Sequence, residues 1–411
     1  MAKLAINGGP KAAEALNVPA WPMVTKRDEE AVLEAVRSGK WCRIYPGSRV
    51  EKFEKAYAEF HDAKHAIAVS NGTVAIELAL LTAGVRPGDH VMVPAVTFIA
   101  SASAIVRVGA APIFVDSDPD TAQINPKAVK AAITPRTKAI VGVHYGGYPI
   151  DFDAILPICE KRGIALIEDC AHAQGTEWKE RKVGAIGRLG SFSFQASKAL
   201  SGGEGGVVLT DDAELAEKAR LLHNIGRVVG KPGYEHYVNA SNYRMSELHG
   251  ALLLSQLERL PEQTNHKHEQ GEFLARELAK IGGVDPMKRD KRITRRGYYF
   301  FILKYDARQF KELPRNKFIA ALNAEGVPCH AAYMMPLYKQ PAFVTDNVRP
   351  FLSKDCEPLP EFEKLNLPVA EKFCAEQQVT IPHPVLLADR RGIQSVIDAV
   401  AKIKENVDEL R

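Results

Sequence analysis

Between His65 and Asp169 the chain repeats one pattern: a short continuous apolar run, a turn rich in Gly, Asn or Pro, and a longer helix-forming stretch. The apolar runs are His65-Ala66-Ile67-Ala68-Val69, Val91-Met92-Val93-Pro94, Pro112-Ile113-Phe114-Val115-Asp116, Ala139-Ile140-Val141-Gly142-Val143 and Ile164-Ala165-Leu166-Ile167-Glu168-Asp169. A strand that is apolar at every position is covered on both faces, as parallel strands joined by helical crossovers are. The pattern therefore predicts an α/β chain with a mainly parallel sheet and helices on both faces. Helix starts agree with it. Thr25 can cap Lys26 to Arg37, and Ser48 with Glu51 forms a capping-box pattern ahead of Phe53, Tyr57 and Phe60. Asn71-Gly72-Thr73 turns into an apolar helix over Val74 to Thr82, Asn125 precedes Pro126 at a helix start, and Asp151 to Arg162 stops at Gly163.

With 411 residues the chain is long enough for two domains. The first 25 residues, with Gly8-Gly9-Pro10 and Pro19-Ala20-Trp21-Pro22, read as an irregular arm. Val207-Val208-Leu209-Thr210 returns to the sheet, and a strong helix is expected from Met245 to Leu260. Pro261 marks a boundary, giving an arm over 1–25, a large domain over 26–261 and a small α+β domain over 262–411. That last part reads as a helix Lys267–Ile281, a strand Tyr298–Tyr305, a helix Leu313–Glu325 and a final helix Arg390–Leu410.

Charge and cysteine usage narrow the function classes. The net charge is +4, from 54 basic and 50 acidic residues, and no face-wide basic run points to nucleic acid. The runs Lys288-Arg289-Asp290-Lys291-Arg292 and Arg295-Arg296 read as solvated loops. The six cysteines are scattered without a C-x-x-C pair, which argues against a zinc ribbon or a disulfide framework. The first ten residues lack a signal-peptide apolar stretch, and no apolar run approaches the roughly 20 residues of a membrane helix. A cytoplasmic protein with reduced thiols and no membrane or nucleic-acid partner is expected. His61 and His65 lie four apart with no third ligand, so no metal site is expected.

The chemistry gathers around two residues. Lys198 follows Gly190-Ser191-Phe192-Ser193-Phe194-Gln195-Ala196-Ser197 and precedes Gly202-Gly203-Glu204-Gly205-Gly206, while Asp169 ends an apolar strand. A lysine amine that forms a Schiff base, and a carboxylate that pairs with a protonated pyridine nitrogen, together suggest pyridoxal 5'-phosphate (PLP). In open α/β sheets ligands bind beyond the carboxyl ends of strands, where Asp169 is placed. Gly72 and Thr73 open a helix after a strand, and such a start offers N–H groups to a phosphate. Phe98 could stack on the ring, His172 could donate to the phenolic oxygen, and Ser193 could add a phosphate bond. Taken alone, the turn reads better as an ordinary strand-to-helix turn, Phe98 as a core aromatic and His172 as a structural histidine, and only their context raises them. No G-x-G-x-x-G, G-x-S-x-G or H-E-x-x-H offers a competing chemistry.

As an ordered set, Ser70-Asn71-Gly72-Thr73, Pro94-Ala95-Val96-Thr97-Phe98, Glu168-Asp169-Cys170-Ala171-His172-Ala173, Ser191 to Lys198, Gly203-Glu204-Gly205-Gly206 and Ser241-Asn242-Tyr243-Arg244-Met245-Ser246-Glu247 resemble the DegT/DnrJ/StrS family. The resemblance covers nearly the whole chain. It implies a fold-type-I PLP-dependent transferase with a mainly parallel seven-stranded sheet, acting on sugars or cyclitols. It implies that Lys198 carries the Schiff base and shuttles the proton, and that Asp169 holds the pyridinium. By the same resemblance His172 holds the phenolic oxygen, Phe98 covers the ring, and Gly72, Thr73 and Ser193 bind the phosphate. Asn242 would reach the phosphate of the neighbouring subunit in a homodimer with shared sites. Many keto-sugar members have histidine where this chain has Gln195. The Phe-Ser-Phe-Gln form with a Trp-Pro pair in the arm is more similar to 3-amino-5-hydroxybenzoate synthases and glutamine:scyllo-inosose aminotransferases. The implied reaction is ping-pong amino transfer from glutamine or glutamate to a cyclic ketone, of the kind used in antibiotic biosynthesis. An aromatising synthase, a sugar dehydratase and a non-enzymatic PLP or sugar sensor are the alternatives. Dehydratase relatives typically replace the lysine with histidine, so Lys198 disfavours that branch.

Overall fold

The computed structural model describes residues 3–228, 231, 234–359 and 361–411. Its centre is a seven-stranded sheet: β1 (His65–Val69), β2 (His90–Pro94), β3 (Ala111–Val115), β4 (Thr137–Val143), β5 (Ala165–Asp169), β6 (Leu189–Ser193) and β7 (Gly206–Thr210). The spatial order is β1-β7-β6-β5-β4-β2-β3. β2 pairs in parallel with β3 and β4, β4 with β5, and β5 with β6. β7 is the exception, antiparallel to both β6 and β1. It follows β6 through a short Gly-rich connection rather than a helical crossover, and only an antiparallel neighbour can be reached that way.

Alternate residues of these strands feed two separate cores. Val91, Val93, Val141, Val143 and Ile167 join one cluster, while Met92, Ile140, Leu166 and Phe192 join another. This two-sided burial is why the runs carry no polar alternation. The first cluster is closed by the helices Gly72–Thr82 and Ala100–Arg107. Helices Arg49–Phe60, Phe152–Arg162 and Glu247–Leu257 close the second. The N-caps form at the expected residues, but the Ser48–Glu51 box is only half made, because the Glu51 carboxylate accepts the Gly47 N–H at 2.9 Å rather than that of Ser48. Thr25 makes a full capping box with Asp28, and Ser48, Asn71 and Asp151 each accept a backbone N–H of the first turn.

A third core lies in the C-terminal part, around a three-stranded sheet of Val284–Pro286, Phe300–Tyr305 and Gln378–Pro382 and the helix Arg390–Glu405. Several boundaries differ from the sequence reading. The expected Met245–Leu260 helix is Glu247–Leu257, and a 22-residue helix then runs Leu260–Ile281 with Pro261 in its first turn. Proline is tolerated there because the first-turn N–H has no intrahelical acceptor, so Pro261 starts a helix rather than ending one. The last helix stops at Glu405, followed by a short 3-10 turn Val407–Leu410. The arm is more ordered than expected. Leu4 and Ala13 join the third core, and the backbone N–H groups of Ala5 and Ala12 donate to the buried Glu325 carboxylate at 2.9 and 2.8 Å. Among the described residues no helix is long and apolar enough to cross a membrane.

Candidate active site

β1, β2, β5 and β6 run the same way, so their carboxyl ends share one edge of the sheet. A cavity of about 680 Å3 opens there, lined by Gly72, Thr73, Phe98, Asp169, His172, Ser193 and Lys198 among others. Seven of the eight residues singled out from sequence therefore meet in one place, from four segments spread over more than a hundred residues.

Asp169 closes β5 and is 5% exposed. The Ser101 hydroxyl donates to its Oδ2 at 2.7 Å and the Ala171 N–H to its Oδ1 at 3.2 Å. Ser101 is itself bonded to Thr97 at 3.0 Å. Among the described residues no lysine or arginine forms an ion pair with Asp169, so a buried carboxylate faces the cavity with room for a cationic partner. Lys198 is half-buried, and burial pushes its amine down to about 8, against the pull of Asp169 toward the charged form.

The backbone on both sides of Lys198 is tied down. Trp21 of the arm donates its indole N–H to the Lys198 carbonyl at 3.1 Å, and His383 donates from Nε2 to the Ser197 carbonyl at 3.2 Å. Buried Gln174 spans the same loop, donating to the Ser193 carbonyl at 2.8 Å and accepting from the Leu200 N–H at 2.9 Å. His172 accepts the Gly146 N–H on Nδ1 at 3.4 Å, which assigns the proton to Nε2. Burial, and then the charge of Lys198, hold it well below the ordinary histidine range, so it is neutral.

The turn after β1 approaches the end of β6 very closely. A Cβ on Gly72 would lie 2.5 Å from Ser193 Cβ, so only glycine fits. Asn71 caps the helix by accepting the Val74 N–H at 2.9 Å, and Gly72 and Thr73, whose first-turn N–H groups have no intrahelical acceptor, line the cavity. Phe98 is 54% exposed on the cavity wall rather than in a core. Asn242 does not line this cavity. It is exposed, and its side chain accepts the Arg244 N–H at 3.3 Å. Of the neighbouring polar run 227–242, residues 229, 230, 232 and 233 lie outside the described residues, and a lining role for that run is not placed by this chain alone.

Several neighbours of the candidate site were not visible in the sequence. Tyr299 and Tyr333 line the cavity from the C-terminal part, and Ser101, Gln174 and His383 act through hydrogen bonds that no local pattern announces. Only Trp21 carried a signal, its Trp-Pro pair in the arm. Two metal candidates resolve as structural groups. His61 is buried with Nδ1 donating to the Val183 carbonyl at 2.9 Å. His144, Glu168 and Cys170 cluster beneath β5. There the Ile150 N–H occupies His144 Nδ1 at 3.1 Å, and Nε2 donates to Glu168 at 3.0 Å. Glu168 also accepts the N–H groups of Gly184 and Gly187 at 2.7 and 2.6 Å. These groups are spent on one another.

Comparison with known proteins places this chain in a family. Residues 22–400 match the model of the DegT/DnrJ/EryC1/StrS aminotransferase family. The chain is 36% identical over 408 residues to an L-glutamine:2-deoxy-scyllo-inosose aminotransferase of Streptoalloteichus tenebrarius, covering 96% of each chain. It is 39% identical over 334 residues to a 3-amino-5-hydroxybenzoate synthase of Amycolatopsis mediterranei, covering 81% of this chain and 85% of that one. The crystal structure of a 3-amino-5-hydroxybenzoic acid synthase superposes with a TM-score of 0.82 at 34% identity, over 95% of this chain and 99% of that one.

Proposed function

The chain belongs to the DegT/DnrJ/EryC1/StrS aminotransferase family, and from that premise we propose that it moves an amino group from L-glutamine to a keto-cyclitol with PLP held in this cavity. The observation that carries the reading is the meeting of Lys198, Asp169 and the Gly72-Thr73 helix start on one cavity. The donor and the acceptor class are supported by the relative that acts on 2-deoxy-scyllo-inosose.

The residues fit the cofactor. Asp169 lacks a cationic side-chain partner among the described residues, which suits a protonated ring nitrogen. Gly72 keeps the helix start pressed against Ser193, where two N–H groups and the Ser193 and Thr73 hydroxyls can hold a phosphate. PLP bound there supplies an aldehyde for the amine and an electron-withdrawing ring for the charge released at the substrate carbon.

Everything else is work for the chain. Lys198, with its amine lowered to about 8, is partly neutral near physiological pH, so it can attack as a nucleophile and pass a proton. Asp169, fixed by Ser101, holds the ring nitrogen protonated. His172 keeps Nε2–H to donate to the phenolic oxygen, because Gly146 occupies its other nitrogen. Phe98 covers a ring face. Asn242, exposed and outside its own cavity, is read as reaching the neighbouring subunit's phosphate in a homodimer. Tyr299 and Tyr333 bring the small C-terminal domain to a pocket otherwise built by the large domain to about residue 261, and the arm reaches it only through Trp21 on the Lys198 carbonyl.

The test is isotopic. Protein with PLP, amide- and α-15N-labelled L-glutamine and 2-deoxy-scyllo-inosose should give a labelled amino-cyclitol from the α-amino label. Absence of any aminated product from this ketone or scyllo-inosose would remove the cyclitol reading. The 39% identity to a 3-amino-5-hydroxybenzoate synthase favours one second reading, formation of that aromatic amine, and product mass separates the two.

A further inference from the structure

Lys198 has a second neighbour besides Asp169. Its Nζ lies over the ring face of Tyr299, 4.1 Å from the centroid. The same ring stacks on His172, with centroids 4.1 Å apart and planes 17° from parallel. The Tyr299 hydroxyl shares a 2.8 Å hydrogen bond with Ser197, the residue before the lysine.

The ring is held in place from behind. The fully buried amine of Lys267 donates to the carbonyls of Gly297 and Tyr298 at 2.6 and 3.1 Å, and the His383 backbone N–H donates to the Tyr299 carbonyl at 3.1 Å. An aromatic face fixed under an amine attracts its charged form, more strongly where water is excluded. Amino transfer gives such a feature a use. Once a substrate amine displaces Lys198, the freed lysine must wait near the reacting carbon, and on the reading above Asp169 is committed to the ring nitrogen.

Resting on the proposed aminotransferase reading, we propose that Tyr299 is a positioning residue, the berth on which released Lys198 waits between its nucleophilic and proton-carrying roles. Its ring face, rather than its hydroxyl, does the holding. Among the described residues, the other titratable groups around the amine are Asp169, which favours its charge, His172 and His383, both neutral through burial, and Tyr333 and Glu204 on the same cavity wall, burial raising the Tyr333 phenol. None of them is altered by a change in the Tyr299 ring electrons.

The experiment reads Lys198 without any turnover. Full-length protein stripped of cofactor is labelled with a trace acylating reagent across pH, and the midpoint of Lys198 acylation is read by peptide mass spectrometry. Position 299 carries tyrosine, phenylalanine, or phenylalanine with one, two or five ring fluorines. These near-isosteric rings preserve packing while draining the negative face. Phenylalanine should match tyrosine within about twofold, and pentafluorophenylalanine should raise the neutral-amine fraction near pH 7 by roughly three- to tenfold, with the others in order between. A midpoint that stays flat across the fluorine series overturns the berth. A flat series in protein whose wild type still takes an amino group from glutamine overturns the berth alone. A wild type that never takes one overturns the underlying reading instead.

Discussion

Gly72→Ala tests the phosphate cradle at its narrowest point. The added carbon would lie 2.5 Å from Ser193 Cβ, 2.9 Å from its Oγ and 3.1 Å from its Cα. Carbon atoms in contact ordinarily sit about 3.5–4.0 Å apart, so the helix start and the end of β6 must separate by about 1 Å. Overpacking of this kind costs about 1–3 kcal/mol. The displaced groups are the ones that would face the phosphate, so the cost falls largely on PLP binding, a loss of roughly five- to a hundredfold in affinity. The control is Gly163→Ala at a left-handed helix end, with φ +62° and open space around the added carbon. It should cost about 1 kcal/mol of stability and leave PLP affinity unchanged. Absorbance titration of cofactor-free protein with PLP gives both affinities, and urea unfolding gives both stabilities. Wild-type affinity in Gly72→Ala, or an equal loss in Gly163→Ala, would refute the reasoning.

Three further expectations follow from the same geometry. Glu168→Gln replaces a buried carboxylate that accepts from His144, Gly184 and Gly187. It should destabilise the protein by about 3 kcal/mol in urea unfolding, and a change below about 1 kcal/mol would contradict the brace. Burial pushes Lys267 down to about 7, so between about pH 7 and 10.5 the unfolded chain holds a proton that the folded chain releases. Wild-type stability relative to Lys267→Met should therefore rise with pH over that window, by up to about 1.4 kcal/mol per pH unit, and a flat or falling difference would contradict it. Capture of PLP by cofactor-free protein needs the neutral Lys198 amine. Its rate, followed by visible absorbance, should climb as pH passes through about 8 and then level, whereas a rate that levels well below neutrality would contradict the lowered amine.

Much of this site was legible because each feature had a local physical cause. Two-sided burial left its mark as unbroken apolar runs, and so the parallel sheet could be read from β2, β4 and β5. Asn71-Gly72-Thr73 and Asp169 announced themselves by standing at strand ends. The antiparallel β7 was not legible, since Val207-Val208-Leu209-Thr210 is as apolar as its parallel neighbours and direction leaves no mark on composition. Pro261 misled because proline both ends helices and starts them. Phe98 alone reads as core, and the fold instead exposes it on the cavity wall. Tyr299, Gln174 and His383 come from segments distant in sequence and act through single hydrogen bonds or ring contacts. The arm looked irregular because its order comes from Glu325 and the third core, not from its own residues.

The most direct measurement is the absorbance of PLP-loaded protein during addition of L-glutamine, with L-glutamate and L-alanine alongside. With glutamine the visible band of the bound aldehyde form should fall and the near-ultraviolet band of the amine form should grow in the wild type and not in Lys198→Ala. A visible band unmoved by every donor, or the same change in Lys198→Ala, would contradict amino transfer through this lysine.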